Sequence, residues 1–323
     1  MPVQPQLQTP PRVRYELTGP LADYLSGVTS QWLMVPPDST PAMLEMFRDR
    51  DRKPPRQMVP WSGEFAGKYL TSAVQLLRLT GDASLRQYLR RFVADLIDLQ
   101  AKDGYLGPWA RKDRLTNQAS NARWQQTWDT WGHYHISLGL MLWHEATGDR
   151  RALECTVRIA DLICRRYLGR KAGRPRLVET GSTEMNLAVV HSLALLYRKT
   201  GDPRHLRMAE QIVDEFAATG RKGPLAGDYL QTGLSKVPFY KTPKPRWESL
   251  HPIMGLSELY WITGNEDYRT AFENHWWSIV ETDRHNNGGF TSGEKAQGNP
   301  YHQGAIETCC TVAWVAMGIE MLR

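Results

Sequence analysis

Four side chains near the end of the sequence have the types and spacing to do chemistry. The stretch Gly288-Gly289-Phe290-Thr291-Ser292-Gly293-Glu294 carries a carboxylate at the end of a glycine-rich loop. Such a backbone lets a ligand approach closely, and a carboxylate there could act as general acid or base. Thirteen residues later comes Glu307-Thr308-Cys309-Cys310, leading into an apolar-periodic stretch with Val312, Val315, Met317 and Met321. Glu and thiolates together can form a zinc shell. Glu307 and Cys309 are two residues apart and diverge on a regular helix, so the metal reading requires them at a helix start or on a turn. The alternative makes Glu307 a first-turn acid facing the helix dipole and both cysteines small buried hydrophobes. The local pattern by itself leans to that alternative, since free cysteine is among the most buried residue types.

A second group lies mid-chain. Trp128, Asp129, Trp131, His133 and His135 combine flat rings, which suit the apolar face of a sugar, with polar groups that pair with hydroxyls. His135 and Trp131 are candidate substrate contacts, and an internally satisfied structural histidine is the equal alternative for His135. His251 joins them because Trp247-Glu248-Ser249-Leu250-His251 puts polar and aromatic groups at an expected helix start. His191, within Val189-Val190-His191, reads as structural. Asp103, Glu179 and Asp228 read as turn acids. Asp129 and Glu184 have the chemistry to orient a histidine or bind hydroxyls, which spacing alone does not show. There is no Gly-Lys-Ser/Thr phosphate loop.

The elements that must position these residues announce themselves by punctuation. Thr80-Gly81-Asp82, Thr147-Gly148-Asp149 and Thr200-Gly201-Asp202 each sit between two apolar-periodic stretches, and Thr263-Gly264-Asn265 is an altered fourth copy. Gly can close one helix in the left-handed conformation while Asp or Asn caps the next. Leu70, Ala73, Leu76 and Leu77 recur at helical spacing before the first turn, and Leu89, Phe92, Leu96 and Leu99 after it. Each copy is therefore a helix hairpin. The turns are 67, 53 and 63 residues apart, longer than the roughly 34 to 47 residues of common helical solenoids. Longer Gly-rich loops join the hairpins, and no strand alternation is convincing. The expected fold is all-α, a closed (α/α)6-type toroid over residues 61–323, whose long loops carry acids and aromatics around one mouth. Residues 1–60, broken by Pro36-Pro37, Pro54-Pro55 and Pro60, are expected to form an irregular Pro-rich arm.

Composition narrows the function classes. The net charge is +6, but basic and acidic residues alternate, as in Arg48-Asp49-Arg50-Asp51-Arg52, and form no basic stripe for nucleic acid. No apolar run is long enough to span a bilayer. Met1 to Pro20 is Pro/Gln-rich without the apolar core of a secretory leader. With four cysteines and no plausible vicinal bridge, the expectation is a reduced, cytoplasmic chain. Twelve tryptophans lean weakly toward a carbohydrate cleft.

Several of these stretches together resemble a known family. Trp61-Ser62-Gly63-Glu64-Phe65-Ala66-Gly67-Lys68, Asp103-Gly104-Tyr105-Leu106, His133-Tyr134-His135, Ala146-Thr147-Gly148-Asp149, Gly293-Glu294 and Glu307-Thr308-Cys309 occur in the order seen in the catalytic domain of the β-L-arabinofuranosidases, glycoside hydrolase family 127 and relatives. The resemblance covers most of the chain from residue 61. It implies an α/α toroid and release of a terminal furanose with retention. It implies Glu294 as general acid/base, Glu307 and Cys309 as zinc ligands, and His135 as a sugar contact. Cys310 is an additional thiol beside that motif, counted here among the candidate metal ligands. The family's remaining ligands are a later Cys-Cys pair, one of which is the nucleophile that forms a glycosyl thioether. No such pair follows Cys310, so the resemblance implies a fragment whose site is completed by residues beyond Arg323. Two rivals stay open: a sugar epimerase working through His191 and His251, and a carbohydrate-binding helical protein without turnover. The expected partner in each case is an oligosaccharide or glycoside, with no nucleic acid and no membrane. Oligomeric state and the exact sugar and linkage have no signature in the sequence.

Overall fold

A computed structural model describes residues 2–7, 15–169 and 173–323, and it divides into two compact units, one of residues 10–165 and the other of residues 1–9 with 166–323. The first unit opens with α1 (Gly19–Gly27), which runs into a π-helical turn (Val28–Leu33), then α2 (Pro36–Ser39) and α3 (Ala42–Arg48). The stretch expected to be an irregular arm is thus partly helical. The reason is the placement of its prolines: α1 and α2 carry Pro in their first two positions, where the missing N–H has no helical partner to lose. Phe47 is fully buried, Tyr69 donates its hydroxyl to the Leu33 carbonyl at 2.6 Å, and Tyr88 donates to Asp38 at 3.0 Å. These contacts seat the segment on α4 (Phe65–Thr80) and α5 (Ala83–Asp98). The hairpin of α6 (Asp129–Thr147) and α7 (Arg150–Tyr167) follows.

The second unit holds α8 (Thr183–Asn186), the hairpin of α9 (Val189–Thr200) and α10 (Pro203–Glu215), and α11 (Tyr229–Leu234). The hairpin of α12 (Leu250–Thr263) and α13 (Glu266–Thr282) and the final α14 (Thr308–Leu322) complete it. Among the described residues the strands are one antiparallel pair of two residues each, β1 (Thr219–Gly220) and β2 (Gly223–Pro224). No helix among the described residues is long and apolar enough to cross a membrane.

The four hairpin turns have the expected chemistry. Gly81, Gly148, Gly201 and Gly264 all end their helices at φ between 67 and 76°, a conformation a Cβ disfavours. Asp82, Asp202 and Asn265 cap the next helix by accepting from the Leu85, Arg204 and Asp267 amides at 2.8–3.0 Å. The threonine has its own part. Each Thr hydroxyl donates to the carbonyl four residues back and accepts from the amide two residues on. A three-residue turn therefore satisfies groups on both sides of the reversal.

Two helices are buried nearly all round. Every residue of α12 from Leu250 to Tyr260 is buried, and so is almost all of α6 from Asp129 to Met141. By contrast α5, α10 and α13 bury one stripe, as helices with one solvent face do. The buried helices are the ones that carry candidate histidines.

Contact between α4 and α6 depends on glycine. A Cβ on Gly67 would stand 2.2 Å from the His135 carbonyl carbon and 2.3 Å from the Ile136 nitrogen. Backbone atoms cannot yield to it as a flexible side chain could. Gly67→Ala is expected to destabilise the protein by about 1–3 kcal/mol through overpacking, and to displace His135. Denaturant unfolding checks the prediction: an unchanged midpoint would mean that α4 and α6 separate freely.

Candidate active site and metal centre

Glu294 sits where three chain segments are stitched by backbone pairing. Arg246 and Lys295 form an antiparallel bridge, Trp247 N–H donates to the Glu294 carbonyl at 3.1 Å, and Ala296 N–H donates to Pro245 at 2.9 Å. On the other side Gly293 pairs in parallel with Ile306, and its N–H donates to Ala305 at 3.0 Å. Gly293 holds φ at +71°, so the turn into Glu294 requires glycine there. One residue beyond the Gly293–Ile306 pairing on each segment stands a candidate: Glu294 on one, Glu307 on the other.

The Glu294 carboxylate is about half exposed and ion-paired, with Oε2 2.6 Å from Arg246 Nη2. Arg246 also grips Glu248, through Nε to Oε2 at 3.0 Å and Nη2 to Oε1 at 2.8 Å. Glu248 is buried, at 1% exposure. Burial pushes its carboxyl up to about 7, against the opposing pull of Arg246. Arg246 and Glu248 thus belong to the site although neither was singled out for a role in the sequence. Glu248 stood in a noted polar-aromatic run, but the partner that gives Arg246 its importance lies 48 residues away.

The raised Glu248 makes a testable contribution. In the unfolded chain this carboxyl titrates near 4.5 and in the fold near 7. Between those values the folded protein holds a proton that the unfolded chain has released. The group therefore favours the fold at low pH, and that contribution is lost as pH rises through about 7. Glu248→Gln is expected to remove a pH-dependent component on the order of 3 kcal/mol. Thermal unfolding of both proteins at pH 5 and pH 8 reads it, because groups common to both cancel in the difference. Parallel pH trends in the two would show that Glu248 does not titrate in this range.

Glu307 is the N-cap of α14, in extended conformation at φ −75° and ψ 138°, and Cys309 and Cys310 lie in the first turn. The helix start that the metal reading required is present, and it reverses the divergence expected on a regular helix. The Cys309 thiol donates to Glu307 Oε1 at 2.5 Å. Cys310 Sγ lies 3.5 Å from Glu307 Oε2 and 3.3 Å from the Gly293 carbonyl oxygen. One ligand atom from each of the three residues falls within 4.8 Å of the others. The hydrogen bond with Cys309, then burial and the Glu307 charge, pushes the Cys310 thiol well above its ordinary range. A divalent cation inverts that electrostatic logic, because it favours every anionic ligand at once. Two sulfurs and a carboxylate at a helix N-terminus are a donor set that fits zinc.

Another cluster of metal-type groups, His191, Glu258 and Glu320, is occupied differently. Arg198 and Arg323 reach Glu258 at 2.7 and 2.5 Å, and Arg323 reaches Glu320 at 2.7 Å. Burial lowers His191 to about 4, so it stays neutral among these pairs. His251 lies in the first turn of α12, buried at 8% exposure, with its ring edge-on to Trp247 at 5.8 Å between centroids. It therefore adjoins the segment that pairs with Glu294.

His135 and Trp131 belong to the unit of residues 10–165 and are described within it. Their rings meet edge to face, 4.3 Å apart at 89°. Trp131 is fully buried and its indole N–H donates to Glu64, which Lys68 also holds at 2.8 Å. Trp131 therefore backs His135 and offers no open face of its own. Asp129 accepts from the Tyr105 hydroxyl at 3.0 Å and the Leu115 amide at 2.8 Å, and stands 3.4 Å from His133. His133 accepts from the Leu106 amide at 3.2 Å. These bonds pin the Asp103–Leu115 loop to α6. Cys155 and Cys164 are buried.

Similarity to known proteins identifies the family and the fold. The sequence profile described as "Beta-L-arabinofuranosidase, GH127 catalytic domain" matches residues 25–323. The chain is 26% identical over 194 residues to a non-reducing end β-L-arabinofuranosidase of Bifidobacterium longum subsp. longum, over 55% of this chain and 28% of that protein. Among solved structures, a GH127 β-arabinofuranosidase superposes with a TM-score of 0.70 at 21% identity, over 93% of this chain and 48% of its own. A GH127 β-L-arabinofuranosidase from Geobacillus stearothermophilus T6 gives 0.69 at 19% identity, over 93% and 52%. The chain thus spans about half the length of these solved relatives and about a quarter of the curated one. The likeness fixes the fold class as an all-α toroid. By the match of its profile over nearly the whole sequence, the chain belongs to the GH127 β-L-arabinofuranosidase catalytic-domain family.

Proposed function

We propose that this chain contributes the acid/base and the candidate zinc ligands of a glycoside hydrolase that releases a terminal furanose of the β-L-arabinofuranose type with retention of configuration. The observation that carries the reading is the Gly293–Ile306 pairing, which sets a proton-transfer carboxylate beside a sulfur-and-carboxylate cluster. Glu294, half exposed and open to a ligand, gives its proton to the glycosidic oxygen as that bond breaks and a thiolate nucleophile bonds to the anomeric carbon. It then takes a proton from the water that releases the sugar, so one residue serves both steps. Arg246 holds Glu294 in place and is itself held by buried Glu248. Glu307, Cys309 and Cys310 would hold zinc, which keeps its sulfur ligands in the ionised, nucleophilic form. His251, whose ring stands against Trp247, pairs with a sugar hydroxyl; within the unit of residues 10–165, His135 keeps its candidate role as a hydroxyl contact, its ring fixed by Trp131.

The reading is tested by the stereochemistry of the first product. The purified protein is incubated with p-nitrophenyl β-L-arabinofuranoside, and the released sugar is followed by proton NMR before it equilibrates. The β-anomer is expected first. First appearance of the α-anomer would overturn retention, and absence of any released sugar would overturn hydrolysis.

A further inference from the structure

In the unit of residues 10–165, Trp61, Trp124 and Trp128 form one aromatic cluster. The Trp61 ring lies 6.0 Å from Trp124 and 5.1 Å from Trp128, tilted at 45° and 41°. Trp61 and Trp128 are half-buried, whereas Trp124 is 61% exposed. An apolar surface of that size is ordinarily folded inward, and the chain goes to some length to hold it out. Trp124 and Gln125 are successive non-glycine residues in the left-handed region, at φ 61° and 55°. Such strain persists where the surroundings over-determine it, and it gathers at ligand clamps. The surroundings here are backbone bonds. Met58 N–H donates to Asn121 at 3.0 Å, Arg123 N–H to Met58 at 2.8 Å, Gln125 N–H to Ala122 at 2.8 Å and Trp128 N–H to Pro60 at 2.9 Å. Two segments, Met58–Trp61 and Asn121–Trp128, are thereby laced together under the indoles.

The polar groups around the cluster indicate what it takes. Arg123 lies over the Trp124 ring, 4.8 Å from its centroid, and Arg123, Gln125 and Gln126 are all exposed. A guanidinium and two amides offer planar donors and acceptors matched to neighbouring hydroxyls. One cation is too little for a polyphosphate, and no carboxylate lies in Arg123–Trp128 to draw a cation. An indole face, negative at its centre, accepts the polarised C–H edge of a ring that carries hydroxyls at its rim. We propose that Trp124, supported by Trp61 and Trp128, is a saccharide-binding platform that stacks on one ring of a carbohydrate ligand. Arg123, Gln125 and Gln126 bind that ring's hydroxyls. The identity of the ligand as a carbohydrate rests on the hydrolase reading above; the existence of the platform does not.

The test is binding, measured apart from turnover. The Glu294→Gln protein is titrated with methyl β-L-arabinofuranoside and with p-nitrophenyl β-L-arabinofuranoside, and affinity is read by saturation-transfer NMR. The same titrations are repeated with Trp124→Ala and Trp124→Tyr added. Trp277, exposed on α13, is replaced by Ala in parallel as a control for any exposed indole. Trp124→Ala is expected to weaken binding about tenfold, with Tyr restoring most of it and Trp277→Ala changing nothing. Equal affinity in Trp124→Ala and its parent would overturn the platform, as would equal losses in Trp124→Ala and Trp277→Ala. No binding of either glycoside by the parent overturns it too. The two readings separate in the wild-type protein. Binding through Trp124 without hydrolysis would remove the hydrolase and keep the platform. Hydrolysis unaffected by Trp124→Ala would do the reverse.

Discussion

Glu294→Gln is expected to lower kcat/KM for methyl β-L-arabinofuranoside by about 100- to 10,000-fold, the usual range for losing a positioned proton donor. Gln keeps the size and shape of the side chain but has no proton to give to an alkoxide leaving group. The loss on p-nitrophenyl β-L-arabinofuranoside is expected to be smaller, because p-nitrophenolate departs without protonation. Its second step still lacks a base to activate water. Azide needs no deprotonation and should therefore restore turnover on the aryl substrate, with the glycosyl azide as product. Equal turnover of wild type and Glu294→Gln on both substrates would exclude Glu294 as acid/base. Arg246 adds a control within the same geometry. Its guanidinium sits 2.6 Å from the Glu294 carboxylate, so Arg246→Ala frees that side chain while leaving the carboxyl group in place. A smaller loss than in Glu294→Gln, without azide rescue, is the pattern of a positioning residue.

The metal centre gives the other large effect. Wild-type protein is expected to bind about one zinc per chain, and Glu307→Ala and Cys309→Ser to lose most of it. Each substitution removes one donor from a three-donor cluster that begins at a helix N-terminus, and no other donor residue belongs to that cluster among the described residues. Elemental analysis after dialysis measures the stoichiometry. Thermal unfolding with and without a chelator checks it in solution. Metal that binds the fold raises its Tm, so chelation should lower Tm in wild type and leave Glu307→Ala unmoved. Equal zinc content in wild type and Glu307→Ala would remove the metal assignment. Cys310→Ser tests the thiol that lies beyond the family's Glu-x-Cys motif. Its Sγ is 3.3 Å from the Gly293 carbonyl as well as near Glu307, so it is also the atom that joins the α14 start to the Glu294 loop. Lower zinc in Cys310→Ser would make it a ligand; unchanged zinc would leave it as that link alone.

Both effects converge on one small junction in which Pro245–Trp247, Gly293–Ala296 and Ala305–Ile306 share backbone bonds. None of these segments is a regular strand, and each bond is a pairing of single residues. A junction built this way is specified by long-range closure of the chain, not by local propensity. It makes the positions of Glu294 and Glu307 interdependent, since both hang from the same Gly293–Ile306 pair.

What the sequence determined by itself was local. Each Thr-Gly-Asp turn is three residues in which the left-handed glycine, the capping acid and the threonine hydroxyl satisfy their own neighbours, so the hairpins were legible from periodicity and punctuation. Glu294 and the Glu307–Cys310 run were visible for the same reason, as residue types at short spacing. The short helices of residues 19–48 were not legible, because proline in a helix's first turn looks, in sequence, like proline that breaks one. Tertiary structure decided the rest. It turned the Glu307-x-Cys309 spacing from divergent to convergent by starting α14 at Thr308. It brought Arg246 onto Glu294 across 48 residues. It buried Trp131 while leaving Trp124, seven residues earlier, exposed. The physical reason is the same in each case: helix propensity and capping act within a few residues, whereas burial, ion pairing and metal geometry depend on where distant segments meet.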